Sequence, residues 1–125
     1  MAQNATSLAV ASVLLFSSSA AMAANLPTRV GQCVQTRIAF LGSRLKGTPG
    51  SGSLVQYEDG GAGVSYEIAP QVMRSRVGDR VKLCLVSIPK DCPPGDDQGR
   101  QYMAINLRTH GSWVLPNSEH MCGGA

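Results

Sequence analysis

Much is scarce in this chain of 125 residues, and each scarcity removes a class of function. Aromatic residues account for 5% and charged residues for 15%, and there are only two histidines. Once Trp113 and most of the tyrosines fill a core, few rings remain to build a stacking platform for sugars. The longest apolar run, Leu8 to Phe16, falls far short of the ~20 residues a membrane-spanning helix needs, so no transmembrane segment is expected. Motifs with a mechanism attached are also missing. The chain has no G-x-S-x-G turn for a nucleophilic serine, no C-x2-C zinc pair and no D-x-[DN]-x-[DN]-G calcium loop. The formal net charge of +3 is too mild for a nucleic-acid footprint. It favours anionic neighbours such as lipid headgroups or cell-wall polymers.

The apolar run is the first thing the chain does have. LAVASVLLF is followed by Ser17, Ser18 and Ser19 and then by Ala21-Met22-Ala23, small residues at the spacing a signal peptidase reads. The pattern predicts a secretory signal over residues 1–23 and one small domain over residues 24–125, periplasmic or secreted. MAQNATS, ahead of the run, departs from that pattern because its only positive charge is the α-amino group.

All four cysteines, Cys33, Cys84, Cys92 and Cys122, follow the expected cut. An even count in a small exported domain reads as two disulfides, each worth about 2–4 kcal/mol. The preferred pairing is Cys33–Cys84 with Cys92–Cys122, ahead of Cys84–Cys92 with Cys33–Cys122. The first two cysteines sit on the less apolar faces of long strands, and the other two bracket a hairpin.

Period-two alternation predicts a strand over Val30–Leu41, with Val34, Thr36, Ile38 and Phe40 on one face and Cys33, Gln35 and Arg37 on the other. Gly42–Gly52 reads as a flexible loop. Leu54–Glu58 and Val64–Ile68 flank Asp59-Gly60-Gly61-Ala62-Gly63 and predict a hairpin in which Val55 and Tyr57 answer Val64, Tyr66 and Ile68. Arg80–Ile88 is the strongest strand, with Val81, Leu83 and Leu85 inward. After a Pro- and Gly-punctuated loop (Pro89–Arg100), Tyr102–Leu107 and Ser112–Leu115 form a second hairpin around His110-Gly111. Five to six strands, two hairpins and no convincing helix predict an all-β, disulfide-stapled barrel or sandwich, SH3-like or OB-like. A helix within residues 69–79 would separate those two.

Four constellations could carry chemistry. Arg74, Arg76, Arg80 and Lys82 stand at even positions, so an extended chain would line them up as an anion-binding face, with Arg44 and Lys46 nearby in sequence; the plainer reading is a solvated strand face. The loop residues Asp91, Asp96, Asp97 and Arg100 form a candidate contact segment. His110, His120, Met103 and Met121 offer soft ligands to copper, joined by Cys122 only if its thiol is free. Adjacent carboxylates at Glu58-Asp59 and Asp96-Asp97 point apart along an extended chain and do not make a hydrolytic pair. With no catalytic signature and no cofactor implied, the expectation is a non-enzymatic exported domain that binds an anionic envelope component or a protein. The alternatives are a periplasmic copper-type metal-binding protein and an inhibitor of an exported enzyme. The intact mass of the natively exported protein should correspond to a start at Ala24 with no labelled thiol; an uncut chain with free thiols would remove the export reading.

Overall fold

The computed structural model describes residues 3–6, 8–15 and 25–124. Six strands follow in chain order: β1 (Cys33–Gly42), β2 (Ser53–Tyr57), β3 (Ala62–Ser65), β4 (Arg80–Ser87), β5 (Gln101–Asn106) and β6 (Ser112–Pro116). One helical turn, α1 (Pro70–Met73), joins β3 to β4, and a 3-10 turn spans Cys122–Gly124. The strands make one sheet in the order β3-β2-β1-β4-β5-β6, every pair antiparallel. It is two three-stranded meanders joined through β1 and β4. Among the described residues no helix is long and apolar enough to cross a membrane. Residues 8–15 of the apolar run form neither helix nor strand and are exposed, and the expected cut after Ala23 lies outside the described residues.

β1 serves both meanders. Its first half, Cys33–Arg37, faces Arg80–Cys84, and its second half faces β2 from Ile38 to Gly42. The register slips between Ile38 and Phe40, at the point where the strand changes partner. A bulge of this kind bends the strand and increases its twist, and the sheet curls here into a half-barrel. Gly63 helps bring β3 against β6: a Cβ there would stand 3.0 Å from Val55 Cγ1 and 3.2 Å from Leu115 Cβ, so both side chains would have to give way to admit one.

The alternation along β4 holds, with Val81, Leu83 and Leu85 buried and Arg80, Lys82 and Val86 exposed. Ile38, Val55, Tyr57, Tyr102 and Trp113 join them in one core. Trp113 Nε1 donates to Tyr57 Oη at 2.9 Å, so the single tryptophan fills the barrel with its polar atom satisfied.

Two local expectations shift. β1 begins at Cys33, because the N–H of Gln32 closes a turn on the Arg29 carbonyl (3.0 Å). β3 ends at Ser65, and Val55 faces Gly63 rather than a bulky residue. Beyond it, the buried Ser53 hydroxyl donates to the Glu67 carbonyl (3.2 Å) and accepts the Ala69 N–H (2.9 Å). These bonds draw residues 66–69 out of the ladder and leave Tyr66 and Ile68 exposed. The crossover to β4, which the sequence leaves open between a helical turn and an irregular path, takes one turn of α-helix over Pro70–Met73.

Both disulfides have the preferred pairing. Cys33 and Cys84 lie directly opposite in the β1–β4 register with Cα atoms 4.1 Å apart, and Cys92–Cys122 (5.3 Å) closes the base of the β5–β6 hairpin. They span 51 and 30 residues of chain. Loop-closure entropy assigns about 4 kcal/mol to each. Urea unfolding of Cys33→Ala/Cys84→Ala and of Cys92→Ala/Cys122→Ala should therefore show similar losses, each near that value.

Candidate functional site

The β1–β4 register sets the chemistry of the outer face. Moving along the ladder from the Cys33–Cys84 bridge, Gln35 stands opposite Lys82 and Arg37 opposite Arg80. Like charges directly opposite each other across a ladder destabilise it. Arg37 and Arg80, with Arg108 from the β5–β6 turn, line a cleft of ≈ 340 Å³ that also reaches Gln35 and Asp79. Arg37 Nη1 donates to the Gly78 carbonyl at 3.2 Å, and Arg80 makes no side-chain hydrogen bond or ion pair among the described residues. The Glu58 N–H donates to the Arg37 carbonyl, yet the Glu58 carboxylate forms no ion pair with that side chain.

One carboxylate answers the three guanidiniums, and it is already engaged. Asp79 is buried, and its Oδ1 accepts from Arg108 Nε at 2.7 Å. Its Oδ2 accepts from Arg108 Nη2 (3.0 Å), Asn106 Nδ2 (2.9 Å) and the Arg76 N–H (2.9 Å). Asn106 is fully buried, donates also to Ser75 Oγ (2.9 Å), and accepts the N–H groups of Arg108 and Thr109 on Oδ1. The Arg108 guanidinium, helped by Asn106 and the Arg76 N–H, holds the Asp79 carboxyl well below the usual carboxylate range against the opposing effect of burial. The same hydrogen bond raises the Arg108 pKa. This network ties the crossover after α1 to the β5–β6 turn and fixes Arg108 at the rim of the cleft.

The basic series divides. Arg80 and Lys82 share the outer face of β4, whereas Arg74 caps α1 and Arg76 opens the turn into Asp79. The helical turn and Gly78, at a φ of 91°, break the extended parity that would have aligned all four. In the segment Asp91–Arg100, Asp91 and Asp97 are exposed and Arg100 is half-buried. Asp96 turns inward, accepting the N–H groups of Gln98 (3.1 Å) and Gly123 (2.9 Å). Among the soft donors, His110 sits at the tip of the β5–β6 hairpin with a φ of 62°, and Met103 lies within β5. Met121 stands by Gly99 at the opposite end of the hairpin, next to His120 and the oxidised Cys122. No group of three His, Cys, Asp or Glu side chains gathers to hold a metal ion among the described residues.

A second polar cluster lies near Leu26. Asp59 Oδ1 accepts the Gly61 N–H at 2.9 Å, while its buried Oδ2 has no partner. Burial pushes the Asp59 carboxyl above its ordinary value, and burial likewise raises the phenol of Tyr57.

Arg37, Asp79 and Arg108 are charged cleft residues that the sequence reading did not single out. Arg37 was within reach, since antiparallel register counted out from a Cys33–Cys84 bridge places it opposite Arg80. Nothing local in the sequence marks Arg108, which arrives through the turn.

Because the Asp79 pKa is lowered on folding, its contribution is full above the unfolded value of ~3.9 and fades as pH falls below it. Urea unfolding should show stability declining below about pH 4 in the wild-type protein and a flatter profile in Asp79→Asn. Asn106→Ala, which strips Asp79 and Ser75 of a buried donor, should cost about 2–3 kcal/mol at neutral pH. No family model, curated protein or solved structure matches this chain.

Proposed function

We propose that this protein is an exported, non-enzymatic binding domain whose β1–β4 outer face takes an anionic group of an envelope component or of a protein partner. The observation that carries the reading is the pair Arg37–Arg80. Two cations facing each other across a ladder oppose folding, and a bound oxyanion turns that repulsion into two charge-assisted contacts. Arg108, oriented by Asp79, adds a third guanidinium at the rim, and Lys82 extends the basic face along β4. Export is supported by the apolar leader with its Ala-x-Ala site and by the two bridges, which belong to oxidising compartments. Of the two barrel kinds, the helical turn between β3 and β4 favours the OB-like one.

Polyphosphate serves as the probe, with affinity measured by calorimetry. Wild-type protein should bind it with an affinity that falls as salt rises, and Arg37→Gln/Arg80→Gln should weaken binding about tenfold or more. The same variant should be no less stable in urea, since a like-charge contact has been removed. Equal binding by the variant would overturn the reading.

A further inference from the structure

The arginine cleft is the middle of a longer basic track. Arg80 and Lys82 share the outer face of β4, two residues and so ~6.6 Å apart, with Arg37 directly across the ladder from Arg80. Beyond Arg80 the helical turn takes Arg74 and Arg76 off the strand, and Arg108 ties their backbones back to its end. Arg108 Nη2 donates to the Arg74 carbonyl at 3.2 Å, and the Asp79 Oδ2 that it also holds accepts the Arg76 N–H at 2.9 Å. The Leu107 N–H in turn donates to the Arg80 carbonyl at 2.9 Å. Lys82, Arg80 with Arg37, Arg108, and Arg74 with Arg76 therefore follow one another from the strand to the helical turn, all of them exposed.

Six of the eleven basic residues stand on this track. Two of the eight acids are hydrogen-bonded to it: Asp79, engaged by Arg108, and Glu58, whose N–H donates to the Arg37 carbonyl. The other five bases and six acids nearly cancel over the rest of the chain, so the net positive charge is gathered here. Arg37, Arg74, Arg76, Arg80 and Lys82 make no ion pair among the described residues. A single oxyanion would reach the cleft and leave both ends of the track unmatched. A protein partner needs an apolar centre to its interface, and Leu107 is the one apolar side chain lining the cleft. Nucleic-acid bases and sugar rings need stacking faces, and no aromatic ring lines it. A flexible chain with an anion at each repeat, spaced about as Arg80 and Lys82 are, meets the whole track; a small polyol between successive phosphates has that reach.

We propose that the partner of this face is a linear phosphodiester polymer without bases, of the polyol phosphate kind. Successive phosphates meet Lys82, the Arg37–Arg80 pair, Arg108, and Arg74 with Arg76. Arginine suits this task because its planar fork pairs bidentately with phosphate. The inference deepens the proposed function: it rests on that reading for the Arg37–Arg80 contact and adds the class of partner and the residues at the two ends.

The test is calorimetric titration of poly(glycerol phosphate) into the exported, disulfide-bonded protein at several salt concentrations. Wild-type protein should bind the polymer about a hundredfold or more tightly than glycerol phosphate. Its log K should fall against log salt with a slope of about −3, as four phosphate contacts on a single strand give. Arg74→Gln/Arg76→Gln and Lys82→Gln change exposed side chains that make no hydrogen bond among the described residues, so a urea midpoint no lower than wild type will show each fold intact. Each variant should lower polymer affinity about fivefold or more and flatten the slope by about 0.7. The inference is overturned if polymer and monomer bind alike, or if either variant keeps the wild-type affinity and slope. It also falls if an oligothymidylate of equal phosphate count binds more tightly than the polymer. In each of those cases, loss of polyphosphate binding in Arg37→Gln/Arg80→Gln leaves the proposed function standing, and retention takes both down.

Discussion

The ladder between β1 and β4 is the joint on which the molecule depends. Each meander alone is a three-stranded sheet with one apolar face and little to bury it against. Joined through Cys33–Arg37 and Arg80–Cys84, and then bent at the Ile38–Phe40 slip, they enclose a single core. The bridge at the outer end of this ladder fixes its register covalently, and a slip of one residue would turn Leu83 and Leu85 outward. The positions of Gln35, Arg37, Arg80 and Lys82 on the outer face follow from that register.

The cleft costs the fold something and is supported from beneath. Arg37 and Arg80 repel each other, while Asp79, Asn106 and Ser75 make a buried polar network immediately behind them. Such a network is tolerable because nearly every donor and acceptor in it has a partner. Arg108 belongs to both sides, completing the Asp79 shell and presenting its charge to the cleft.

Much of this was legible in the chain. The strands showed as period-two runs and the turns as Asp-Gly-Gly and His-Gly; one bridge followed from strand faces that could meet and the other from two cysteines bracketing a hairpin. What the pattern could not reach was the work of small polar side chains. The Ser53 hydroxyl ends β3 early, and Gly52 and Gly63 permit approaches that depend on residues distant in sequence. The basic series was visible as spacing, but spacing assumes an extended chain. One helical turn and the positive φ of Gly78 broke that line between Arg76 and Arg80. Arg37 shows the reverse case: it was not singled out, although counting the register from the Cys33–Cys84 bridge places it opposite Arg80.

The two bridges also have a topological consequence. Cys33–Cys84 closes a covalent ring around the loop after β1, the β2–β3 turn and the crossover through α1; Cys92–Cys122 closes another around the long loop and the β5–β6 turn. A protease that cuts once inside either ring opens the chain without releasing a piece of it. Only the connector at residues 85–91, and the ends outside Cys33 and Cys122, lie beyond this protection. In a compartment without repair and rich in hydrolases, a nicked molecule would therefore keep its halves together, and its core could hold them in register.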